Sequence, residues 1–242
     1  MLVVWRLFHR HGVPKYLARH YWWAYLWRPG IWLFDHQLII NLILFGYYRR
    51  ILTAVLRNIP GHKSSNVLQI ANAYGELLPA LTRRLKGGNL HLVDVATPQL
   101  DLARSKLKFE KEAVTHHFTQ MNSETLGYHD ASFDVVSIFL LLHELPPPAR
   151  EATLHEAVRV LKPGGKLIIA EYGRNRGSHF LHRIVPLRWL LTYLEPFLAT
   201  AWREDLIKTI SRHSEQQSRN VITYTKKEFF GGFYQVVGCT VV

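Results

Sequence analysis

The strongest constraint on the fold is an alternation of short apolar runs with amphipathic runs between residues 66 and 172. The apolar runs are rich in Val, Ile and Leu, as strands buried on both faces are. The amphipathic runs between them have helical periodicity and supply the crossovers that parallel strands need. Five strands are predicted at NVLQIA, NLHLVDVA, VTHHFTQMN, FDVVSIFLLL and KLIIAEY. We therefore expect an α/β, Rossmann-like fold with a mostly parallel sheet and helices on both faces.

The turn after the first strand is the first candidate ligand site. Right-handed crossovers bring the carboxyl ends of parallel strands to one edge, where ligands bind. The turn at 71–75, Ala-Asn-Ala-Tyr-Gly, has small residues that let a ligand approach the backbone. We predict ligand contacts at Gln69, Ala71, Tyr74 and Gly75. An ordinary corner between a strand and a helix has the same pattern, so this turn alone is weak evidence.

Asp94 strengthens the interpretation of that turn as a nucleotide site. It ends the second predicted strand, 25 residues after Gln69. A carboxylate at this place can accept hydrogen bonds from both hydroxyls of a ribose. The alternative is a helix N-cap or an acid that faces solvent.

Two apolar segments flank this alternation. Residues 1–60 form an aromatic and basic segment that we expect to be helical, and residues 61–242 form the ligand-binding α/β domain. Within that domain, an insertion at about 176–222 has apolar residues at helical spacing and is expected to cover the site as a lid. The longest uncharged run of the first segment, 37–48, is too short to cross a bilayer. Such helices can lie in a membrane interface or simply cover the core of their own domain.

The net charge of +12 predicts an anionic partner, either phospholipid or nucleic acid. The aromatic residues cluster with aliphatic ones and form no RNA-stacking motif, so we expect no nucleic-acid binding. Four arginines flank the apolar runs, as anionic lipid contact requires. These are Arg49, Arg50, Arg183 and Arg188. The first residues lack the features of a cleavable signal, and the one cysteine, Cys239, excludes an internal disulfide. We expect a cytoplasmic protein, peripheral at the inner membrane.

Three stretches resemble the class I S-adenosylmethionine-dependent methyltransferases. LVDVATPQLDLARSKL is similar to their second strand and next helix, and MNSETLGYHDASFDVVSIFLLLHEL to their adenine pocket and fourth strand. EAVRVLKPGGKLIIAEY is similar to their turn into strand five. The resemblance covers residues 66–172 and implies S-adenosylmethionine as cofactor. It also implies that Asn122 and Ser123 lie beside the adenine.

A narrower resemblance involves the flanking segments and covers about residues 16–237. YWWAYL, NLILFG, LLHELP, LEPF with Trp202, and FGGFYQ are similar to the rhodoquinone biosynthesis methyltransferase-like proteins. That resemblance implies replacement of a ubiquinone ring methoxy group by an amino group donated by S-adenosylmethionine, with a divalent metal such as manganese. The chain departs from the family pattern at 171–175, where Glu-Tyr-Gly-Arg-Asn replaces an acid-Tyr-His sequence before a proline. These departures leave room for another quinone or another transferred group.

The ends of the fourth and fifth strands supply candidate catalytic groups. We predict that His143, Glu144 and Tyr172 act in catalysis, and that His143, Glu144 and Glu171 hold the metal. Imidazole and carboxylate ligands suit manganese. Alternatively, His143 bonds a loop carbonyl and Glu144 caps the next helix. The quinone path is assigned to Tyr21, Trp22, Tyr25 and Asn41, which could also be packing residues.

Two other functions remain open at this point. One is a conventional methyltransferase that acts on a quinone, a lipid or a small molecule. The other is a non-catalytic binding protein with the same fold. At the C-terminus, KKEFFGG is expected to be a short helix and FYQVVGCTVV a sixth strand, with no antiparallel seventh strand. The sequence does not indicate the oligomeric state.

Overall fold

A seven-stranded sheet forms the centre of the protein in a computed structural model that describes residues 6, 12–60, 65–110, 113–174 and 179–242. The strands are β1 Asn66–Ile70, β2 Gly88–Asp94, β3 Val114–Gln120, β4 Phe133–Phe139, β5 Leu161–Tyr172, β6 Val221–Phe229 and β7 Tyr234–Val241. Their order in the sheet is β3-β2-β1-β4-β5-β7-β6. Strands β1 to β5 pair in parallel, whereas β7 is antiparallel to both β5 and β6. The predicted Rossmann-like α/β fold is confirmed.

The central strands are continuous apolar runs because helices cover both faces of the sheet. In β1, Val67, Leu68 and Ile70 are all buried, and β4 is buried along nearly its whole length. Chain order reverses between β1 and β4, which are neighbours in the sheet although β2 and β3 lie between them in sequence. A crevice therefore opens beyond the carboxyl ends of β1 and β4, at the topological switch point.

The expectation for the C-terminus was wrong. KKEFFGG forms the end of β6 and the turn after it, and FYQVVGCTVV supplies β7, so the antiparallel seventh strand is present. Gly231 and Gly232, with φ of +58° and +87°, make the tight turn between the two strands. Strand β6 is almost entirely exposed at the sheet edge, so its sequence lacks the apolar alternation by which strands are recognised.

Five helices with described bounds precede the sheet within residues 12–60. They are α1 Lys15–His20, α2 Trp22–Tyr25, α3 Arg28–Phe34, α4 Gln37–Ile43 and α5 Tyr48–Asn58. The last of these buries Tyr48, Ile51 and Val55 against the sheet and ends before Ile59-Pro60, because a residue before proline avoids the helical conformation. Among the described residues, no single helix is long and apolar enough to cross a bilayer. The pair α4 and α5, bent by 92°, meets the length and composition criteria together.

The remaining helices cross between strands or cover the site. Crossovers are α6 Leu77–Leu85, α7 Thr97–Leu107 and α8 Pro147–Arg159. After β5 come α9 Phe180–Arg183, α10 Val185–Leu194, α11 Leu198–Ala201 and α12 Leu206–Gln216. The chain from α9 to α11 supplies Leu194 and Glu195 to the rim of the crevice, whereas α12 packs on α8. The first part of this insertion is therefore the part that covers the site.

Candidate active site

A cavity of about 420 Å³ lies over the carboxyl ends of β1, β2 and β4, beneath the N-terminal helices and the end of α10. Most of the residues predicted from the sequence line it. They are Tyr21, Tyr25, Ala71, Tyr74, Asp94, Asn122, Ser123, His143, Glu144 and Tyr172. The other predicted residues, Trp22, Asn41, Gln69, Gly75 and Glu171, do not line it.

Asp94 binds the two turns that form the floor of the cavity. One carboxylate oxygen accepts the backbone N–H of Asn72 at 2.8 Å, and the other accepts that of Ala96 at 2.8 Å. Burial raises the pKa of Asp94 to about 6, although these two hydrogen bonds favour the charged form. Each carboxylate oxygen keeps acceptor capacity toward the cavity, so the geometry suits a pair of ribose hydroxyls.

The first turn is strained at one position and crowded at another. Ala71 has φ of +61°, a conformation that glycine adopts more easily. Gly75 has φ of +83°, and a side chain there would lie 2.6 Å from the Tyr48 hydroxyl. That hydroxyl accepts the backbone N–H of Glu76 at 2.6 Å, while the N–H of Gly75 donates to Asp35 at 2.9 Å. The N-terminal helices therefore fix the shape of the turn.

Gln69 lies beneath this turn and is fully buried. Its Nε2 donates to the carbonyl oxygens of Ile70 and Ala71, at 3.1 and 3.0 Å. A carboxylate at this position could not donate either bond and would face two carbonyl oxygens. The neutral amide thus stabilises the turn from below, which differs from the direct ligand contact expected from the sequence.

Aromatic rings form one wall of the cavity. Tyr25 stacks on Tyr74, with ring centroids 5.7 Å apart and planes 8° apart. The Tyr74 hydroxyl accepts a hydrogen bond from Gln99 at 2.8 Å and donates to the Ala24 carbonyl oxygen. This wall joins α2 to the first turn and to α7.

His143 lies in a short 3-10 turn, Leu142–Glu144, that follows β4. Its Nδ1 is 2.7 Å from Oε1 of Glu171 at the end of β5. The same carboxylate accepts the backbone N–H groups of His143 and Tyr172, at 3.3 and 2.7 Å. Burial alone would lower the pKa of His143, but the Glu171 carboxylate outweighs it and raises that pKa to about 9.

Two further carboxyl groups face His143, each bonded to a tyrosine. Glu144 accepts a hydrogen bond from Tyr25, and Glu195 accepts one from Tyr21 at 2.8 Å. Burial raises the pKa of Glu144 to about 8, and the charge of nearby Glu195 adds to this rise. Burial also raises the pKa of Glu195. The cavity thus holds two buried acids whose pKa values both lie above the ordinary value for glutamate.

His143, Glu144 and Glu195 can each offer one ligand atom, and these three atoms all lie within 4.8 Å of one another. With Nδ1 engaged by Glu171, Nε2 of His143 lies 3.9 Å from Oε1 of Glu144, and a metal would bind there in place of the Nε2 proton. One imidazole and two carboxylates suit manganese or a similar divalent ion. Glu171 orients the imidazole from behind, as carboxylates do for metal-bound histidines. The structure thus puts Glu195 in the place that the sequence analysis gave to Glu171.

Arg150 positions the turn that carries His143 and Glu144. It is 2% exposed, and its guanidinium donates to the carbonyl oxygens of Leu142 and Leu145, at 2.7 and 2.9 Å. It also pairs with Glu204 and donates to the carbonyl oxygen of Phe197, just before α11. The buried guanidinium of Arg150 thereby links the turn Leu142–Glu144 to the segment that carries Glu195.

Sequence reasoning missed several residues that line the cavity. They are Tyr16, Trp23, Asn72, Met121 and Glu195. Glu195 had a usable signal, because it is the one acid in the apolar stretch 179–203 and belongs to the LEPF motif. Trp22 lies beside the lining residues in sequence but on another side of the helix, where its ring contacts Trp27 at 6.3 Å.

Comparison with known proteins agrees with this geometry. Residues 67–165 match the methyltransferase domain family. The ubiquinone/menaquinone biosynthesis C-methyltransferase UbiE of Shewanella pealeana is 26% identical over 140 residues, which span 57% of this chain and 55% of the relative. The matched part is thus about half of that relative. UbiE of Francisella tularensis is also 26% identical, over 202 residues that span 78% of this chain and 76% of the relative.

Solved structures show the same fold at low sequence identity. A S-adenosylmethionine-dependent methyltransferase of Methanosarcina mazei has a TM-score of 0.57 at 20% identity, over 77% of this chain and 96% of that one. The [4+2]-cyclase SpnF has a TM-score of 0.54 at 12% identity, over 79% of each chain. The chain therefore has the Rossmann-like fold of the S-adenosylmethionine-dependent methyltransferases, and its residues 67–165 are similar to the methyltransferase domain family.

Proposed function

We propose that the protein transfers a group from S-adenosylmethionine to the ring of a prenylated, ubiquinone-like quinone. The observation that carries this proposal is a single cavity that joins the Asp94 edge to the His143, Glu144 and Glu195 cluster under an aromatic wall. The relatives named for ubiquinone and menaquinone biosynthesis support a quinone as acceptor.

Asp94 accepts the ribose hydroxyls in this proposal, and Ala71 and Tyr74 contact the amino-acid end of the cofactor. Asn122 and Ser123 lie beside the adenine. Their side chains are held locally, by Glu124 and by Thr153, so this part of the pocket is already ordered. S-adenosylmethionine supplies an electrophilic methyl group on its sulfonium sulfur.

Methyl transfer to a ring carbon is the reaction that the relatives support. In the reduced quinol form of an acceptor with one unsubstituted ring carbon, the new bond joins the methyl group to that carbon, the bond from sulfur to methyl breaks, and the proton of that carbon leaves. Glu144 faces the cavity, and its pKa of about 8 suits a general base near neutral pH. Tyr25 donates to Glu144 and stabilises the ionised carboxylate until the proton is taken.

Amino transfer is a second candidate, favoured by the carboxylate and imidazole cluster. A bound divalent cation would compensate the negative charge of Glu144 and Glu195, whose pKa values are raised by burial. His143, Glu144 and Glu195 would hold manganese, which would polarise a quinone carbonyl. The amino nitrogen of the cofactor would displace the ring methoxy group, which leaves as methanol, and the bond from that nitrogen to the cofactor's α-carbon would then break with loss of a β-proton, so that the ring keeps an amino group. The fold does not decide between the two reactions, since SpnF shares it and is named a cyclase.

The test uses S-adenosylmethionine labelled with carbon-13 in its methyl group and nitrogen-15 in its amino group. Purified protein is incubated with this cofactor and, in parallel, with ubiquinone or with a prenylated quinol that has one unsubstituted ring carbon, each with and without manganese, and the products are analysed by mass spectrometry. Carbon-13 with a mass gain indicates methyl transfer, and nitrogen-15 with a mass loss indicates amino exchange. Absence of both labels from the quinone contradicts the proposal.

A further inference from the structure

Two segments that reach the cavity expose large apolar side chains, which the described part of the chain leaves uncovered. Helix α10 has no buried residue although most of its side chains are apolar. Trp189 is 65% exposed, and on α4 the side chain of Leu42 is 71% exposed. Exposed apolar surface of this extent indicates an interaction site. We call this surface the docking face: Leu38, Leu42, Ile43, Phe45, Phe180, Trp189, Leu190, Tyr193 and Leu194.

The two halves of the docking face meet over one ring. Phe45, in the turn between α4 and α5, lies 5.4 Å from the ring of Phe230, and Phe180 of α9 lies 5.7 Å from it. The ring of Tyr47 stacks on Phe230 at 5.0 Å. Segments far apart in sequence therefore form one surface.

The charged residues within the two segments that carry this surface all have the same sign, and acids adjoin these segments only at their ends, as Asp35 and Glu195. Residues 37–52 and 179–194 contain arginines at 49, 50, 183 and 188 and no acidic residue, although the chain has 18 elsewhere. Arg49, Arg50 and Arg183 are exposed, and the guanidinium of Arg50 lies 5.3 Å from the centroid of the Tyr47 ring. An apolar face with a cationic border complements the surface of an anionic bilayer.

The docking face is continuous with the cavity. Ile43 and Leu194 are both exposed and both line it, and Leu194 precedes Glu195 of the cluster. We propose that α4, the turn after it and α10 dock on an anionic phospholipid bilayer, so that a prenylated substrate enters the cavity from the lipid. The substrate route rests on the proposed function, whereas lipid binding by the docking face does not.

Vesicle flotation of the full chain tests the docking. Wild-type protein should float with vesicles of phosphatidylcholine and phosphatidylglycerol and much less with phosphatidylcholine alone. Leu42→Glu and Trp189→Glu should each lower partitioning about tenfold or more, since each removes a large apolar contact with the membrane. Replacement of Arg49 and Arg50 by Gln should weaken binding about fivefold per arginine. The matched control is Phe109→Glu, because Phe109 is 81% exposed after α7 and outside the face.

Three results would overturn the proposal. The wild type could fail to float with anionic vesicles, or Leu42→Glu and Trp189→Glu could bind like Phe109→Glu. Light scattering without lipid could also show a dimer that only these two variants dissociate, which would assign the face to a second copy of the chain.

The substrate route has its own readout. Leu42→Glu and Trp189→Glu should keep their turnover of a short-tailed, water-soluble quinone and lose turnover of a long-tailed quinone embedded in vesicles. Equal losses on both substrates would contradict the route. If the wild type modifies neither quinone, the proposed function fails, while flotation still decides whether the face binds lipid.

Discussion

Nδ1 of His143 lies 2.7 Å from Oε1 of Glu171, a contact that joins the carboxyl ends of β4 and β5. It fixes the orientation of the imidazole and leaves Nε2 on the side of Glu144 and Glu195. The candidate metal ligands therefore come from two parts of the chain, while the residue that orients them comes from a third.

Glu171→Gln tests that orientation. An amide holds the imidazole less firmly than a carboxylate does, so we expect manganese affinity to fall about 10-fold to 100-fold. Glu195→Gln should cost at least as much, because it removes a ligand. Manganese binding is measured by calorimetry or electron paramagnetic resonance, with exposed Glu215→Gln as control. Unchanged affinity in both variants would show that the metal does not bind at this cluster.

Asp94→Asn tests the ribose contact. The substitution removes the charge and one acceptor, so we expect affinity for S-adenosylmethionine to fall about 10-fold to 100-fold, the equivalent of hydrogen bonds to a charged group. Isothermal calorimetry measures this affinity. The control is Asp101→Asn on α7, where the carboxylate is exposed and pairs only with Arg104 among the described residues. Equal affinities for the wild type and Asp94→Asn would show that the ribose lies elsewhere.

Asp94 also predicts a pH dependence of stability. Its pKa is raised to about 6 in the folded state, above its ordinary 3.8, so the folded protein binds more protons between these values. Its contribution to stability is therefore full below pH 4 and falls as pH rises to 6, by up to about 3 kcal/mol. Urea titrations without cofactor, at several pH values between 4 and 6, give the free energy of unfolding of the wild type and of Asp94→Asn. The quantity to follow is the wild-type value minus the variant value. A difference that stays constant or grows over this pH range would contradict the burial of Asp94.

Gly75→Ala should destabilise the protein much more than Ala71→Gly, although both residues lie in one turn. At position 75, alanine would have to keep the left-handed backbone conformation, and its methyl group would clash with the Tyr48 hydroxyl. The loss of stability should therefore be about 2–4 kcal/mol. At position 71, glycine relieves the strain of the left-handed conformation but raises the conformational entropy of the unfolded chain. The change in stability should therefore stay within about 1 kcal/mol. Thermal and urea denaturation measure both. Equal effects would mean that the N-terminal helices do not constrain this turn.

Arg150→Met should destabilise the protein by about 3–5 kcal/mol, because it leaves Glu204 and two buried carbonyl oxygens without their cation. The matched control is Arg212→Gln, since the pair of Arg212 with Glu151 is largely exposed and should cost at most about 1 kcal/mol. Urea denaturation gives both values. If both variants lost at most about 1 kcal/mol of stability, Arg150 would not link the turn Leu142–Glu144 to α11.

The fold, and the part of the site formed by Asp94 and the turn at 71–75, could be predicted from the sequence. Strands β1, β2, β4 and β5 are buried on both faces, so their sequences are continuous apolar runs. Asp94 is the last residue of one such strand, and the turn at 71–75 directly follows another, which fixes their place at the sheet edge. Edge strand β6 has no such pattern, and KKEFFGG was read as a helix for that reason.

The cluster of His143, Glu144 and Glu195 depends on contacts between segments that are far apart in sequence. Glu195 lies in the apolar chain after β5, and only the packing of that chain over the cavity brings it to His143. Trp22 and Asn41 were assigned to the quinone path because they stand among aromatic and apolar residues. Helical geometry instead puts Tyr21 and Tyr25, four residues apart, on the side that lines the cavity.

A crystal structure with bound S-adenosylhomocysteine would show whether the cavity over the carboxyl ends of β1, β2 and β4 binds the cofactor. We expect ribose hydroxyls within hydrogen-bonding distance of the Asp94 carboxylate, adenine beside Asn122 and Ser123, and the sulfur directed toward His143 and Glu144. A nucleotide bound elsewhere, or a cavity closed by its own side chains in the complex, would contradict this assignment of the cofactor site.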